Sequence, residues 1–181
     1  MLFRSAVDVT GTEGAPPMLR IIDRPGRVAL WAVVVSLIVG LDQLTKQLAE
    51  AGLSPYTPHP VVPGFFNLTL AYNPGAAFSF LASAGGWQRW AFLALAVGVG
   101  GVLARWLLLR PARELGWPLA FSMILGGAVG NALDRALHGH VIDFIQVYYR
   151  DWYWPSFNVA DSAIMVGAAL YIWLTLKYGE H

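Results

Sequence analysis

The sequence predicts an α-helical integral membrane protein with four transmembrane helices, a small extracytoplasmic β element and an interfacial aromatic segment. Of its 181 residues, 56% are hydrophobic and only 13% are charged. This composition is typical of a membrane protein rather than a soluble domain. In addition, four apolar runs are long enough, at roughly 20 residues each, to cross about 30 Å of hydrocarbon as helices. These runs lie at about 28–48, 87–109, 117–137 and 159–176.

The first apolar run follows a polar tail, 1–27, which we expect to be a flexible cytoplasmic segment. We interpret the run as a retained helix rather than a cleaved signal peptide. Asp42 and Lys46 lie near its far end, and no small-x-small cleavage site follows it. The rest of the chain, 28–178, is then a single four-helix membrane domain.

The distribution of Lys and Arg predicts the orientation of the spans, because cytoplasmic flanks carry the excess of these residues. Basic residues collect before the first span, between the second and third spans and after the fourth: Arg4, Arg20, Arg24, Arg27, Arg105, Arg110, Arg113 and Lys177. Both termini should therefore face the cytoplasm. Arg89, at the outer end of the second span, is the exception.

The segment between the first two spans, about 55–81, predicts a small β element outside the membrane. Within 66–72, large apolar residues alternate with Asn67, Thr69 and Ala71. This period of two is typical of a half-buried strand. The Asn-Pro-Gly sequence at 73–75 should end the strand in a turn.

The second outer segment, about 138–158, is rich in aromatic residues: Phe144, Tyr148, Tyr149, Trp152, Tyr153 and Trp154. Amphipathic aromatic side chains favour the headgroup region, so we expect this segment to lie along the membrane surface. Asp143 would then be near the interface. Asn158 can cap the fourth span, which places Asp161 in its first turn. Both aspartates should therefore lie at the same outer level of the membrane.

Asp143 and Asp161 are the leading candidates for chemistry, since carboxylates in or beside a bilayer are costly and mark functional sites. Two close carboxylates share one proton, because like charges in a low dielectric do not both ionise readily. One can then activate a water molecule while the other donates a proton to a carbonyl oxygen. Because a helix N-terminus favours negative charge, Asp161 is predicted to be the more easily ionised partner.

Each aspartate also has a structural interpretation. The spacing from Asn158 to Asp161 is that of a capping box, which would account for Asp161 without any chemistry. Asp143 could be an interfacial carboxylate that simply reaches water. The sequence pattern alone leaves both alternatives open.

Two further pairs lie near the outer end of the third span. Asn131 and Arg135 are four residues apart and share a helix face, where they could hold a substrate backbone or a phosphate and orient the carboxylates. Alternatively, Asp134 and Arg135 could neutralise each other or partners at the interface. Gly126 and Gly130 have the GxxxG spacing that favours a close helix contact.

Two more pairs of residues are candidates for a structural or a functional role. Asp42 and Lys46 are four residues apart with the acid first, the favourable order for an ion pair at a helix end. Asn73 and Gly75 could present polar groups to a peptide, although a plain turn explains them equally well.

The composition also limits the kind of site. The chain has no Cys, which excludes disulfides, thiolate catalysis and Cys-based metal sites. His138 and His140 lie beside Asp143, but no HExxH pattern accompanies them, so we predict neither a metal nor another cofactor. The formal net charge of +1 does not indicate nucleic-acid binding.

Five short sequences, in this order on a four-span chain, resemble the bacterial lipoprotein signal peptidases (signal peptidase II, peptidase family A8). They are DQLTK at 42–46, NPGAAFSF at 73–80, GNALDR at 130–135, HVIDF at 140–144 and FNVADSAI at 157–164. The similarity covers about 28–178. The departures are confined to one turn, where Tyr72 stands in place of a frequent Arg and Pro74 follows Asn73.

The resemblance implies that 28–178 is a membrane peptidase domain. Its activity would be that of an intramembrane aspartic endopeptidase that removes signal peptides from diacylglyceryl-modified prolipoproteins, cleaving before the lipidated Cys. Asp143 and Asp161 take the catalytic roles. Substrate-binding or supporting roles fall to Asn73, Gly75, Asn131, Arg135, Asn158, Asp42 and Lys46.

The resemblance also implies a location and partners. The protein would be a monomer in the bacterial cytoplasmic (inner) membrane, surrounded by membrane lipids, with its active site at the extracytoplasmic side. Globomycin-type inhibitors would occupy that site. No metal or other cofactor is implied.

Two other classes of protein remain as alternatives on the sequence. A small transporter or proton relay could use Asp143, Asp161 and Arg135, although a relay should run through the membrane and these charges cluster at one level. A metal-dependent membrane lipid transferase could also use clustered aspartates. A transferase of this kind would lose activity in a chelator.

Overall fold

The computed structural model describes residues 24–75, 85–109 and 115–179. Its elements, in chain order, are α1 (Arg24–Gly52), β1 (His59–Val62), β2 (Phe66–Asn73), α2 (Trp87–Leu109), α3 (Gly116–Leu137), β3 (Val141–Tyr149), β4 (Trp152–Tyr153) and α4 (Val159–Tyr178). Helix α1 begins at Arg24, so the last four residues of the predicted tail belong to it. Residues 1–23, the end of the predicted β element at 76–81, and Arg110 and Arg113 lie outside the described residues.

The four predicted spans are confirmed as helices, each long and apolar enough to cross a membrane. Helix α1 is about one turn longer at each end than predicted, whereas α2 has the predicted bounds. Large apolar side chains on the helices are exposed, among them Leu37, Val102 and Leu176. Helices with so much exposed apolar surface are suited to lipid rather than water.

Helix α3 contacts the other three helices and packs most extensively on α4. Small residues allow these approaches: a Cβ atom added to Gly126 would lie 2.9 Å from Ile38, and one added to Gly130 would lie 2.6 Å from Asp42 and 3.3 Å from Ala160. The predicted close helix contact at the GxxxG sequence is therefore confirmed, and it brings α1 and α4 together beside α3.

The four strands form one antiparallel sheet in the order β1-β2-β3-β4. The strand predicted at 66–72 is confirmed as β2, and it pairs with β3 so that Ala71 faces Asp143. The aromatic segment therefore differs from the expectation of a surface-lying piece, because it supplies two strands to the same sheet. Two reasons explain the difference. The β-branched and aromatic residues of β3 favour a strand as well as a membrane interface. In addition, β2 needs a neighbouring strand to satisfy its backbone hydrogen bonds.

A small apolar core joins the sheet to the helices. It contains Ala49 from α1, Leu70 from β2, and Ile142 and Phe144 from β3. Residues on either side of Asp143 are therefore anchored in this core. The core fixes β3 against the end of α1, and this places Asp143 beside the N-terminus of α4.

Candidate active site

Asp143 and Asp161 lie in the wall of the same cavity, which has a volume of about 240 Å³. Asp143 comes from β3 and is only 2% exposed. Asp161 comes from the first turn of α4. The sequence predicted that the two carboxylates would share a level, and the fold brings them into one site.

The predicted capping box at the start of α4 is present. The Asn158 side-chain oxygen accepts a 2.8 Å hydrogen bond from the Asp161 backbone N–H, and Asp161 Oδ2 accepts one of 3.3 Å from the Asn158 backbone N–H. The cap uses only one oxygen of the Asp161 carboxylate. Asp161 therefore holds the helix end and still lines the cavity.

Two asparagine side chains connect the aspartates. Asn158 Nδ2 donates to Asp143 Oδ1 at 2.8 Å and to Asn131 Oδ1 at 3.1 Å. Asn131 Nδ2 donates to Asp161 Oδ1 at 2.7 Å. In each amide, the NH₂ group therefore donates to a carboxylate and the oxygen accepts from a separate donor, so both ends of the amide are hydrogen-bonded. The result is a continuous chain of hydrogen bonds from one aspartate to the other.

The turn after β2 reaches the site. Asn73 Nδ2 donates to Asp143 Oδ2 at 3.2 Å, and Asn73 Oδ1 accepts from the Gly75 backbone N–H at 3.0 Å. Arg135 donates to the Gly75 carbonyl at 2.9 Å. The residues therefore form a turn, as one interpretation expected, and this turn contacts a candidate catalytic group. That they present polar groups to a peptide stays a prediction.

Arg135 lies at the edge of the cavity. Its guanidinium also donates to the Asn131 carbonyl at 3.3 Å and lies 5.2 Å from the ring centroid of Phe92. Its Nε–H is buried and has no hydrogen-bond partner among the residues that the structure describes. A buried donor without a partner in a cavity wall is available to a ligand.

Asp134 forms its ion pair with Lys46 and not with Arg135, the partner that one of the alternatives above proposed. Consecutive residues of a helix point about 100° apart, and Asp134 turns inward to Lys46 of α1, at 2.6 Å. Lys46 also makes the predicted ion pair with Asp42, at 2.7 Å. The predicted pair at the end of the first span is thus part of a larger buried cluster.

Asp134 and Gln43 belong to this cluster, although neither was predicted as a site residue from the sequence. Gln43 Nε2 donates to Asp134 Oδ1 at 2.8 Å. A sequence signal did exist for both: Asp134 is three residues after Asn131, hence near it on the helix surface, and Gln43 lies inside the first motif.

Burial controls the charge of Asp143. Removal from water, together with the nearby charge of Asp161, raises the pKa of Asp143 to about 7, although hydrogen bonds from Asn73 and Asn158 and the charge of Lys46 oppose the rise. Near neutral pH, this carboxyl group therefore exists in both the protonated and the ionised form. A group of this kind is suited to proton transfer.

The cavity has a polar and an apolar side. Asn73, Asn131 and Arg135 surround the carboxylates, whereas Ile164 and Met165 of α4 extend the wall along the helix. Met165 is 62% exposed on α4, a helix long and apolar enough to cross a membrane. The cavity consequently reaches the side of the protein that a bilayer would cover.

Proteins of known family resemble this chain over most of its length. A family model described as Signal peptidase (SPase) II matches residues 34–177. A lipoprotein signal peptidase of Xylella fastidiosa (strain M12) is 52% identical over 139 residues, which are 77% of this chain and 83% of the relative. One from Pseudoalteromonas atlantica (strain T6c / ATCC BAA-1087) is 50% identical over 155 residues, or 86% of this chain and 93% of the relative.

Solved structures agree with the sequence comparisons. A bacterial membrane enzyme structure obtained by the in meso method at 2.3 Å resolution superposes with a TM-score of 0.74 and 30% identity, covering 82% of this chain and 88% of that one. A second, at 1.9 Å resolution, gives a TM-score of 0.71 and 29% identity. Since the matched region, 34–177, includes most of α1, all of α2 and α3, nearly all of α4 and both aspartates, the chain belongs to the signal peptidase II family.

Proposed function

We propose that this protein removes signal peptides from diacylglyceryl-modified prolipoproteins by an aspartic endopeptidase mechanism, cleaving before the lipidated Cys. The observation that carries the proposal is the convergence of Asp143 and Asp161 in one cavity. Relatives about 50% identical are named lipoprotein signal peptidases, which supports the substrate class.

The protonation of the pair assigns a role to each carboxyl group. Asp143, with a pKa of about 7, carries the shared proton and donates it to the oxygen of the scissile carbonyl. Asp161, at the start of α4 where the helix dipole favours a negative charge, takes a proton from the attacking water. A carbon–oxygen bond forms to give a tetrahedral intermediate. Asp161 then passes its proton to the leaving nitrogen as the carbon–nitrogen bond breaks, and a hydroxyl group of the intermediate returns a proton to Asp143 as the carbonyl re-forms.

The surrounding groups hold the reactants in place. Asn73 and Asn158 each donate to one oxygen of Asp143, which fixes the orientation of the carboxyl group. The buried Nε–H of Arg135 can donate to a peptide carbonyl of the substrate. Preorganised donors of this kind stabilise charge as it develops, because they need no reorientation during the reaction.

The shape of the cavity supports a lipid-anchored substrate. A diacylglyceryl group stays in the bilayer, so the peptide next to it must enter from the side. The cavity wall at Met165 reaches the lipid-facing surface, which provides such a path. Trp154, Pro155 and Phe157 would form the opposite wall and exclude water once the peptide is bound. Globomycin-type inhibitors would occupy the same space.

The two other classes gain little support. The charged groups that line the cavity, Arg135, Asp143 and Asp161, lie together. The inner segments 28–41, 116–130 and 162–176 of α1, α3 and α4 contain no charged residue. A transmembrane relay of ionisable groups would need charged residues there. Within the described part of the chain, no group of three or more His, Asp or Glu side chains could hold a metal ion.

The proposal is tested by incubating the purified protein, reconstituted in lipid nanodiscs, with a lipid-modified prolipoprotein and with its unmodified precursor. Each reaction is run with and without a chelator. We expect cleavage only of the modified form, before the lipidated Cys, at the same rate in both conditions. Cleavage of both forms would contradict the substrate assignment, and loss of activity in the chelator would contradict the aspartic mechanism.

A further inference from the structure

Three charged residues behind the cavity form a buried triad, Asp42, Lys46 and Asp134. Their exposed fractions are 0%, 1% and 0%, respectively. The Lys46 ammonium group lies 2.7 Å from Asp42 Oδ2, 2.6 Å from Asp134 Oδ2 and 3.1 Å from Asn131 Oδ1. Its three N–H donors therefore match three acceptors.

The two acids of the triad each hold a backbone N–H group next to a candidate catalytic aspartate. Asp42 Oδ1 accepts from Ala160 at 2.9 Å, and Ala160 precedes Asp161. Asp134 Oδ2 accepts from Ile142 at 3.2 Å, and Ile142 precedes Asp143. One acid thus holds the α4 segment and the other holds the β3 segment.

Lys46 joins these two attachments and also acts on the bridge between the aspartates. Its bond to Asn131 Oδ1 forces the Asn131 amide to direct Nδ2 at Asp161. If the amide turned over, its oxygen would face the Asp161 carboxylate and its N–H group would face the ammonium group. The lysine therefore selects one of the two amide orientations.

Fold stability alone is a weak explanation for the triad. Removing three charged groups from water costs more than packing apolar residues of similar size, so buried ion pairs are poor sources of net stability. Positioning is a better explanation, because small displacements of reacting groups reduce rates steeply.

We propose that Asp42, Lys46 and Asp134 are positioning residues that set the separation and orientation of the two reacting carboxylates by holding the chain immediately before each of them. This inference rests on the proposed aspartic mechanism. The triad touches neither the substrate nor the reacting atoms. It acts through Ala160, Ile142 and Asn131.

The test uses the full chain in lipid nanodiscs with Asp134→Ala and Asp42→Ala, each of which leaves Lys46 one carboxylate. Hydrogen exchange should rise at the start of β3 in Asp134→Ala and at the start of α4 in Asp42→Ala. The kcat of both variants should fall about 100-fold. This kcat is measured below the melting temperature of each variant, so that unfolding does not contribute to the loss. KM should stay within about threefold, since the cavity wall is intact.

Leu174→Ala is the matched control. Leu174 is buried at the inner end of α4 against Gly116, so the variant loses packing far from the aspartates. It should melt at a lower temperature and keep wild-type kcat. If the alanine variants do not accumulate, Asp134→Asn and Asp42→Asn, which keep the side-chain volume, are compared in the same way.

The outcomes separate this inference from the proposed function. If the wild-type protein does not cleave a lipid-modified prolipoprotein, the proposed function is wrong. If the wild-type protein cleaves, the triad variants should be slow and their exchange should rise only at the segment each acid holds. A kcat equal to that of Leu174→Ala, or a uniform rise in exchange, would overturn the positioning role.

Discussion

Asp161 has a capping role and a candidate catalytic role at once, and the two do not compete. Oδ2 satisfies the Asn158 backbone N–H, while Oδ1 accepts from Asn131. The cap also orients the carboxylate relative to Asp143, because Asn158 is hydrogen-bonded to both. A local helix-stabilising motif thus becomes part of the connection between the two acids.

Asp143→Asn and Asp161→Asn should each abolish cleavage, since an amide can neither take a proton from water nor carry the shared proton. We expect kcat to fall by at least about 10³-fold, while both variants remain folded in lipid. The measurement is turnover of a lipid-modified prolipoprotein, with circular dichroism as the check on folding. Appreciable turnover by either purified variant would rule out the proposed mechanism.

The raised pKa of Asp143 predicts how stability depends on pH. The folded protein binds the Asp143 proton more tightly than the unfolded chain does, and this difference stabilises the fold. The stabilisation is fully present below the unfolded pKa of about 3.9. It is lost as the pH rises towards 7, the pKa in the folded protein. Asparagine cannot ionise. The melting temperature of Asp143→Asn relative to wild type should therefore rise between pH 5 and pH 8.

Asp151→Asn, which alters an exposed carboxylate in the turn between β3 and β4, is the control for the pH dependence. Its melting temperature should follow that of the wild type at every pH. If the difference in melting temperature between Asp143→Asn and wild type were the same at every pH in this range, burial would not raise the pKa of Asp143.

Elements whose signal is local were predicted from the sequence, and elements that depend on distant pairing were not. The four helices follow from uninterrupted apolar runs, and β2 follows from its alternation. Strand β3 pairs with a partner about seventy residues earlier, so no local pattern distinguishes it from an interfacial segment. Similarly, the Asp42–Lys46 pair is visible as neighbours on one helix, but Asp134 joins it from another helix.

Gly127 lets α3 and α4 approach closely enough to place Asp161. A Cβ atom there would collide with the Ala160 backbone oxygen and would lie 2.7 Å from Ile164. Gly127→Ala should therefore push α4 away, cost about 1–3 kcal/mol of stability, and lower kcat because Asp161 moves with the helix. Melting temperature and turnover are the measurements.

Gly101 of α2 is the control at the element scale. A Cβ atom there meets nothing within 4 Å, so Gly101→Ala should leave the melting temperature unchanged or slightly raised, as expected from helix propensity. If Gly127→Ala proved as harmless as Gly101→Ala, the close packing of α3 on α4 would not be what positions Asp161.

At the scale of the whole molecule, Arg89 is the basic residue that breaks the expected charge distribution. Its guanidinium donates to the Ala136 carbonyl at 2.8 Å, at the C-terminal end of α3. A cation there compensates the carbonyl groups that a helix end leaves without partners. Because this local role accounts for Arg89, it does not count against an orientation with both termini in the cytoplasm.

The orientation can be tested directly because the chain contains no Cys. Single cysteines are introduced as Asp151→Cys, in the exposed turn between β3 and β4, and as Lys177→Cys, exposed at the end of α4. Since the sheet carries Asp143 and should lie outside the cytoplasm, a membrane-impermeant maleimide added to spheroplasts should label Asp151→Cys. Lys177→Cys should react only after the membrane is permeabilised, and the cysteine-free wild type should not react. The opposite pattern would place the cavity on the cytoplasmic side, where a signal peptide exported with its lipoprotein would not present its cleavage site.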